Sequence, residues 1–157
     1  MPGQAPIIGA PDPSRPSAAH RPLRPPEKAA LAGEILVVYA RVRLLMRRED
    51  IRDVVAWIRA RPASANPPAE AGARDALRTG ARLSNAVTRT LRPLPTDTRC
   101  LSQALVLLWL LSRRGIPSTL VIGAHMAPVF EAHAWVELAG RPLLAPGNFS
   151  DDRLVEL

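Results

Sequence analysis

The sequence predicts an α+β fold in which helices come first and a small antiparallel sheet comes last. Three observations carry that expectation. Helical-period apolar patterns fill residues 27–91. A strongly apolar helix follows over Cys100–Arg114. Short β-branched and alternating runs around an Ala139-Gly140 turn close the chain.

The elements follow in order. Residues 1–26 hold eight of the 17 prolines, mixed with Ser, Ala, Gly and Arg. Proline fixes φ and removes a donor, so this segment reads as a disordered tail. The first helix is expected over Glu27–Arg47, with acid at its start and Arg at its end, as the helix dipole favours. A second starts near Glu49-Asp50, where Ile51, Val54, Val55 and Ile58 share one face. Pro62, Pro67 and Pro68 mark a break. The third helix is expected over Ala69–Leu91, with Leu77, Ala81, Ser84 and Val87-Thr88 as a weakly apolar face. Arg74, Arg78, Arg82 and Arg89 populate its other side, and a row of this kind is ordinarily a solvated face. Arg92-Pro93-Leu94-Pro95 stops it.

Thr96, Asp97 and Thr98 are good caps for the next helix, which begins at Arg99-Cys100. Its all-round hydrophobicity predicts burial at the domain centre. Arg113-Arg114-Gly115 ends it, with Gly115 as the left-handed C-terminal residue. Strands are expected over Thr119–Gly123, Ala132–Leu138 and Arg141–Ala145, the last two forming a hairpin. The domain scheme is therefore a tail (1–26), a helical region (27–68) and an α+β core (69–157).

Composition bounds the chemistry. A length of 157 residues fits one domain, and 47% hydrophobic residues with 22% charged is a globular balance. The net charge is +7, almost all of it arginine, since Lys28 is the only lysine. Aromatics are only 4% and no basic cluster interleaves with them, which argues against nucleic acid as a partner. A single cysteine, Cys100, forbids an intrachain disulfide and a Cys-rich zinc site. The reduced setting that this suggests is cytoplasmic, and nothing at the N-terminus has the order of a signal peptide. The longest apolar run, Ala104–Leu111, is far below the ~20 residues of a membrane span. The first helix, interrupted by Glu34, Arg41 and Arg43, leaves peripheral association with the inner membrane face as an alternative.

Cys100 stands where unsatisfied backbone N–H groups favour a thiolate, with Arg99 beside it. A lone cysteine is more often a small core residue. His133 is more often a satisfied core histidine. Together, on a helix start and an adjacent strand, they form the nucleophile and base arrangement of Cys–His hydrolases. His125 competes as the base but falls in the expected loop Ala124–Glu131, and His20 lies in the tail. Glu137 faces the same side of its strand as His133. It lies about 13 Å further along, too far for direct contact.

Three segments carry a resemblance: Cys100-Leu-Ser-Gln-Ala-Leu, Arg113-Arg114-Gly-Ile-Pro-Ser-Thr-Leu-Val-Ile-Gly123, and Ala132-His-Ala-Trp-Val-Glu137 with Gly140. In this order they resemble the B2 proteins of lasso-peptide biosynthesis, small transglutaminase-like cysteine proteases. The resemblance covers roughly residues 83–144. It implies a transglutaminase-like, papain-like core that removes the leader peptide from a ribosomally made precursor. The implied partners are the precursor peptide, a separate leader-binding protein and a macrolactam synthetase. Cys100 is then the nucleophile, His133 the general base, and no cofactor or metal is implied. The family pattern puts an acid about twelve residues beyond the histidine, and that position is Ala145, which cannot orient an imidazole. Asn148, Asp151 and Asp152 are the substitutes in reach, with Asn148 nearest. Gln103, one turn past the cysteine, is a candidate oxyanion donor or a packing residue. Two further functions share these residues: a transglutaminase-like binding module with weak or no catalysis, and an acyl transferase using the same Cys–His pair.

Overall fold

The computed structural model describes residues 24–61, 72–94, 99–125, 130–145 and 153–157. Four helices precede a four-stranded antiparallel sheet: α1 (Pro25–Leu45), α2 (Ile51–Arg59), α3 (Ala73–Leu91), α4 (Arg99–Arg113), β1 (Thr119–His125), β2 (Glu131–Leu138), β3 (Arg141–Pro142) and β4 (Arg153–Glu156). The expected α+β class is the observed one, with a cysteine-bearing central helix packed on the sheet.

α1 opens at Pro25, two residues ahead of the expected start. Proline suits the first turn, whose N–H groups have no intrahelical acceptor. The Glu27 carboxylate accepts the Arg24 backbone N–H at 2.7 Å and so satisfies one such donor. α4 is the hub: α1, α2, α3, β1 and β2 all pack against it. Ala104–Leu111 is buried throughout, as its all-round hydrophobicity predicts. Leu83, Val87 and Leu91 of α3, Val54 and Ile58 of α2, and Ile35, Val38 and Val42 of α1 join the same core.

The buried face of α3 differs from the expected one. Gly80, Leu83, Ser84, Val87 and Leu91 point inward, while Ala81 and Thr88 are exposed. The larger aliphatic side chains win the core, and alanine and threonine yield it. The arginine row is solvated as expected: Arg74, Arg78, Arg82 and Arg89 are all exposed.

α4 ends in a full Schellman motif. The Ile116 N–H donates to Leu111 O and the Gly115 N–H to Ser112 O, both at 3.0 Å, with Gly115 at φ 65°. Arg114 then ties this end to α1 through a 3.0 Å ion pair with Glu34. Trp57 of α2 and Trp109 of α4 meet with ring centroids 4.7 Å apart, and the Arg61 guanidinium lies over both rings.

The strand order is β3-β2-β1-β4. In register, Val121 stands opposite Trp135, and Gly123 opposite His133. The Ala139-Gly140 turn is as expected, with φ 49° and 71°. Three expectations for the sheet need correction. β1 runs on to His125, so His125 is a half-buried strand residue paired with Glu131 at 3.6 Å and not part of an exposed loop. β3 is two residues long, and 143–145 leave it as a bend alongside β2. β4 was not expected at all; four residues with charges at both ends are too short to show an alternating pattern.

Candidate functional site

The path of the chain decides which ends meet. α4 is 15 residues, about 22 Å at 1.5 Å per residue. β1 is seven residues, about 23 Å at 3.3 Å per residue. A short turn at Gly115 joins them, and β1 runs back along the helix. The far end of β1 is at Gly123 and His125. Antiparallel pairing puts the first residues of β2 at that same end, and His133 is among them. Cys100 opens the helix that packs on the sheet, and His133 lies near the start of β2, opposite Gly123.

They do not share a face of the sheet. Ala134, Val136 and Leu138 turn into the main core against α4. Alternation sends His133, Trp135 and Glu137 to the opposite face, where Trp135 makes a small separate cluster with Val121 and Leu144. Cys100 is a free, half-buried thiol. Gln103 is half-buried one turn further along α4.

His133 Nε2 lies 2.8 Å from the main-chain oxygen of Ala145. A carbonyl oxygen carries no proton, so Nε2 is the protonated nitrogen and donates, and the basic lone pair of the neutral ring is on Nδ1. The position where the resemblance implies an acid does hold an acceptor for the imidazole, supplied by the backbone. The expectation that Ala145 could not orient His133 holds for its methyl side chain and fails for its carbonyl. Asn148, Asp151 and Asp152, the expected substitutes, lie outside the described residues, as do the capping residues Thr96, Asp97 and Thr98.

The neighbours of His133 extend along its face of the sheet. Its ring stacks on Trp135, with centroids 6.2 Å apart and planes 22° apart. The Trp135 indole N–H donates to Glu137 Oε1 at 2.8 Å. Arg153, reaching from β4, closes on the same carboxylate oxygen. Glu137 is only 8% exposed. Burial pushes its pKa up, but the hydrogen bonds from Arg153 and Trp135 outweigh it and hold the carboxyl below the usual carboxylate range. Glu137 in turn raises the Arg153 guanidinium above its ordinary value. The sequence signal for this row was the alternation His133, Trp135, Glu137. The indole N–H bridges the distance that separates the carboxylate from the imidazole, and β4 supplies an arginine that the expected three strands did not include.

A cleft of about 730 Å³ opens at the other end of the molecule, between α4 and the start of β1. Arg59, Ser112, Gly115, Ser118 and Thr119 line it.

This arrangement is that of an α+β domain, with a cysteine in the first turn of its central helix and a histidine on the adjacent sheet. A family model for the Transglutaminase-like superfamily matches residues 36–153, and the chain belongs to that superfamily. The superfamily includes cysteine peptidases and acyltransferases. Comparison with curated proteins and with solved structures found no match.

Proposed function

We propose that the chain is a cysteine endopeptidase that removes the leader from a ribosomally made lasso-peptide precursor. The observation that supports the catalytic part is the His133 Nε2–Ala145 O bond. It fixes an imidazole in the tautomer whose Nδ1 can take a proton from a thiol. In the reaction, His133 takes the Cys100 proton and the thiolate adds to the scissile carbonyl. Collapse of the adduct breaks the C–N bond, and the imidazolium gives its proton to the leaving amine. Water then hydrolyses the thioester, again with His133 as base. Gln103 is the proposed oxyanion donor.

The leader-peptide part rests on the ordered motifs Cys100-Leu-Ser-Gln, Arg114-Gly-Ile-Pro and His133-Ala-Trp-Val. The proposed partners are the precursor, a leader-binding protein and a macrolactam synthetase, in the cytoplasm. Among the described residues no helix is long and apolar enough to cross a membrane. A second reading, acyl transfer to an amine, shares every step up to the thioester and differs only in the acceptor. The third, a binding module without catalysis, took its ground from the missing acid, and the carbonyl of Ala145 weakens that ground.

The purified chain with its leader-binding partner is expected to cut the precursor once, at the leader–core junction. Cys100→Ala is expected to abolish the cut, with loss of the shortened product by mass spectrometry as the readout. Undiminished cleavage by that variant overturns the proposal.

A further inference from the structure

The bend at residues 143–145 is attached to the molecule from several sides. The Ser84 hydroxyl of α3, 6% exposed, donates to Leu143 O at 2.5 Å. The Leu143 N–H donates to Val136 O at 2.8 Å, so the bend continues along the edge of β2. The Leu143 side chain sits over Gly80, where an added Cβ would come within 2.8 Å of its Cδ1. The next side chain, Leu144, packs with Val121 and Trp135 on the other side of the sheet. The residue after it presents its carbonyl to His133.

We infer that this bend is a main-chain strut that does the work of a catalytic acid, with Ser84 and Gly80 of α3 as its positioning residues. The inference deepens the proposed Cys–His reading and rests on it for its catalytic meaning. A carboxylate orients an imidazole wherever its side chain can swing to reach it. A carbonyl has no such freedom, so its direction depends on how its peptide is held. Ser84 fixes the bend through a buried hydrogen bond two residues before Ala145. Gly80 leaves the room that lets Leu143 seat against α3. The Trp135 ring, shared between Leu144 and His133, holds the imidazole from the side while the carbonyl holds it at Nε2. An uncharged acceptor sets the tautomer and supplies less stabilisation of the imidazolium than a carboxylate would.

The test reads the tautomer directly. The full chain has three histidines, so ¹⁵N spectra of the neutral rings are assignable by replacing His20 and His125 in turn. His133 is expected mainly as the Nε2–H form. Ser84→Ala is expected to shift it toward a mixture, and to lower the rate of Cys100 alkylation by iodoacetamide about fivefold, the scale of one lost hydrogen bond. Its unfolding should stay cooperative. Ala145→Asp restores a charged acceptor. It is expected to keep the Nε2–H form even in the Ser84→Ala background and to extend alkylation reactivity to lower pH, because a stabilised imidazolium favours the thiolate beside it. An Nδ1–H ring in the unmodified chain, or a tautomer that Ser84→Ala leaves unchanged while the fold persists, overturns the inference. If Ser84→Ala fails to fold, Gly80→Ala displaces Leu143 with a helix-favouring residue and takes its place in the same measurement. None of these readouts uses the precursor. Failure of the peptidase reading, seen as cleavage by Cys100→Ala, is therefore a separate result.

Discussion

Glu137 shows how a residue far from an imidazole can still govern it. Its carboxylate receives the Trp135 indole N–H and the Arg153 guanidinium, in a position 8% exposed. Glu137→Gln keeps an acceptor for the indole and loses the charge-assisted bond to Arg153, which is expected to destabilise the fold by about 1–2 kcal/mol near neutrality. In the folded chain this carboxyl is held below the ordinary range, so the native state binds its proton less readily than the unfolded chain. Its contribution is then complete above the unfolded value of about 4.3 and is lost as pH falls through the lower folded value. Urea unfolding of the two proteins should differ at pH 7 and converge in acid; a gap that persists at pH 2 would refute the assignment. At this scale the sequence was legible where chemistry is carried by side-chain type. Cys100 and His133 stood out because each has few bland uses in its position. The acceptor for His133 was hidden because it is a main-chain atom, and every residue has one. The search for an acid led instead to Asn148, Asp151 and Asp152.

Among the elements, the hairpin between β2 and β3 carries a visible cost. Ala139 and Gly140 both have positive φ, 49° and 71°, as a type I′ turn demands. Gly140 adopts this freely, whereas an alanine Cβ crowds the following carbonyl. Ala139→Asn is expected to stabilise the fold by about 0.5–1 kcal/mol, since asparagine tolerates the left-handed region. For a domain of this size that is a rise in Tm of about 1–4 °C. Calorimetry checks it, and an unchanged or lower Tm counts against the turn assignment. Elements with long, consistent periodicity were legible almost to the residue: α2 shows Val54, Val55 and Ile58 inward as its spacing predicts, and α4 is apolar on every side because every side is covered. α3 was legible at its end, Leu91, but it opens at Ala73 where Ala69 was expected, and its face was not legible because its small residues give the alternatives similar weight until Leu83 and Leu91 are packed. β4 was missed because its pairing with β1 is set by partners some thirty residues away, not by local pattern.

At the scale of the whole molecule, the excess of seven positive charges has to be accounted for by its placement. One exposed side of α3 gathers Arg74, Arg78, Arg82 and Arg89. Among the described residues only Arg78 has an acidic partner there, Asp75 at 3.8 Å, and both side chains of that pair are more than half exposed. Such charges do little for folding, since an exposed pair contributes less than about 1 kcal/mol. They do shape the field through which an acidic partner approaches. On the proposed reading, that partner is the leader-binding protein with its bound precursor. Reversing Arg74 and Arg82 to glutamate lowers the net charge from +7 to +3, a change of two for each substitution. The double variant is expected to keep its Tm. It should associate with the loaded partner about tenfold more slowly at low salt, through a lost attraction that 0.5 M NaCl would already screen. Cleavage should then show a raised KM at unchanged kcat, because on this reading α3's exposed face acts only on encounter. Association rates measured across a salt series decide the matter. Equal rates and equal salt slopes for the two proteins would remove α3 as the partner's landing face, and would return the +7 charge to a property of solubility alone.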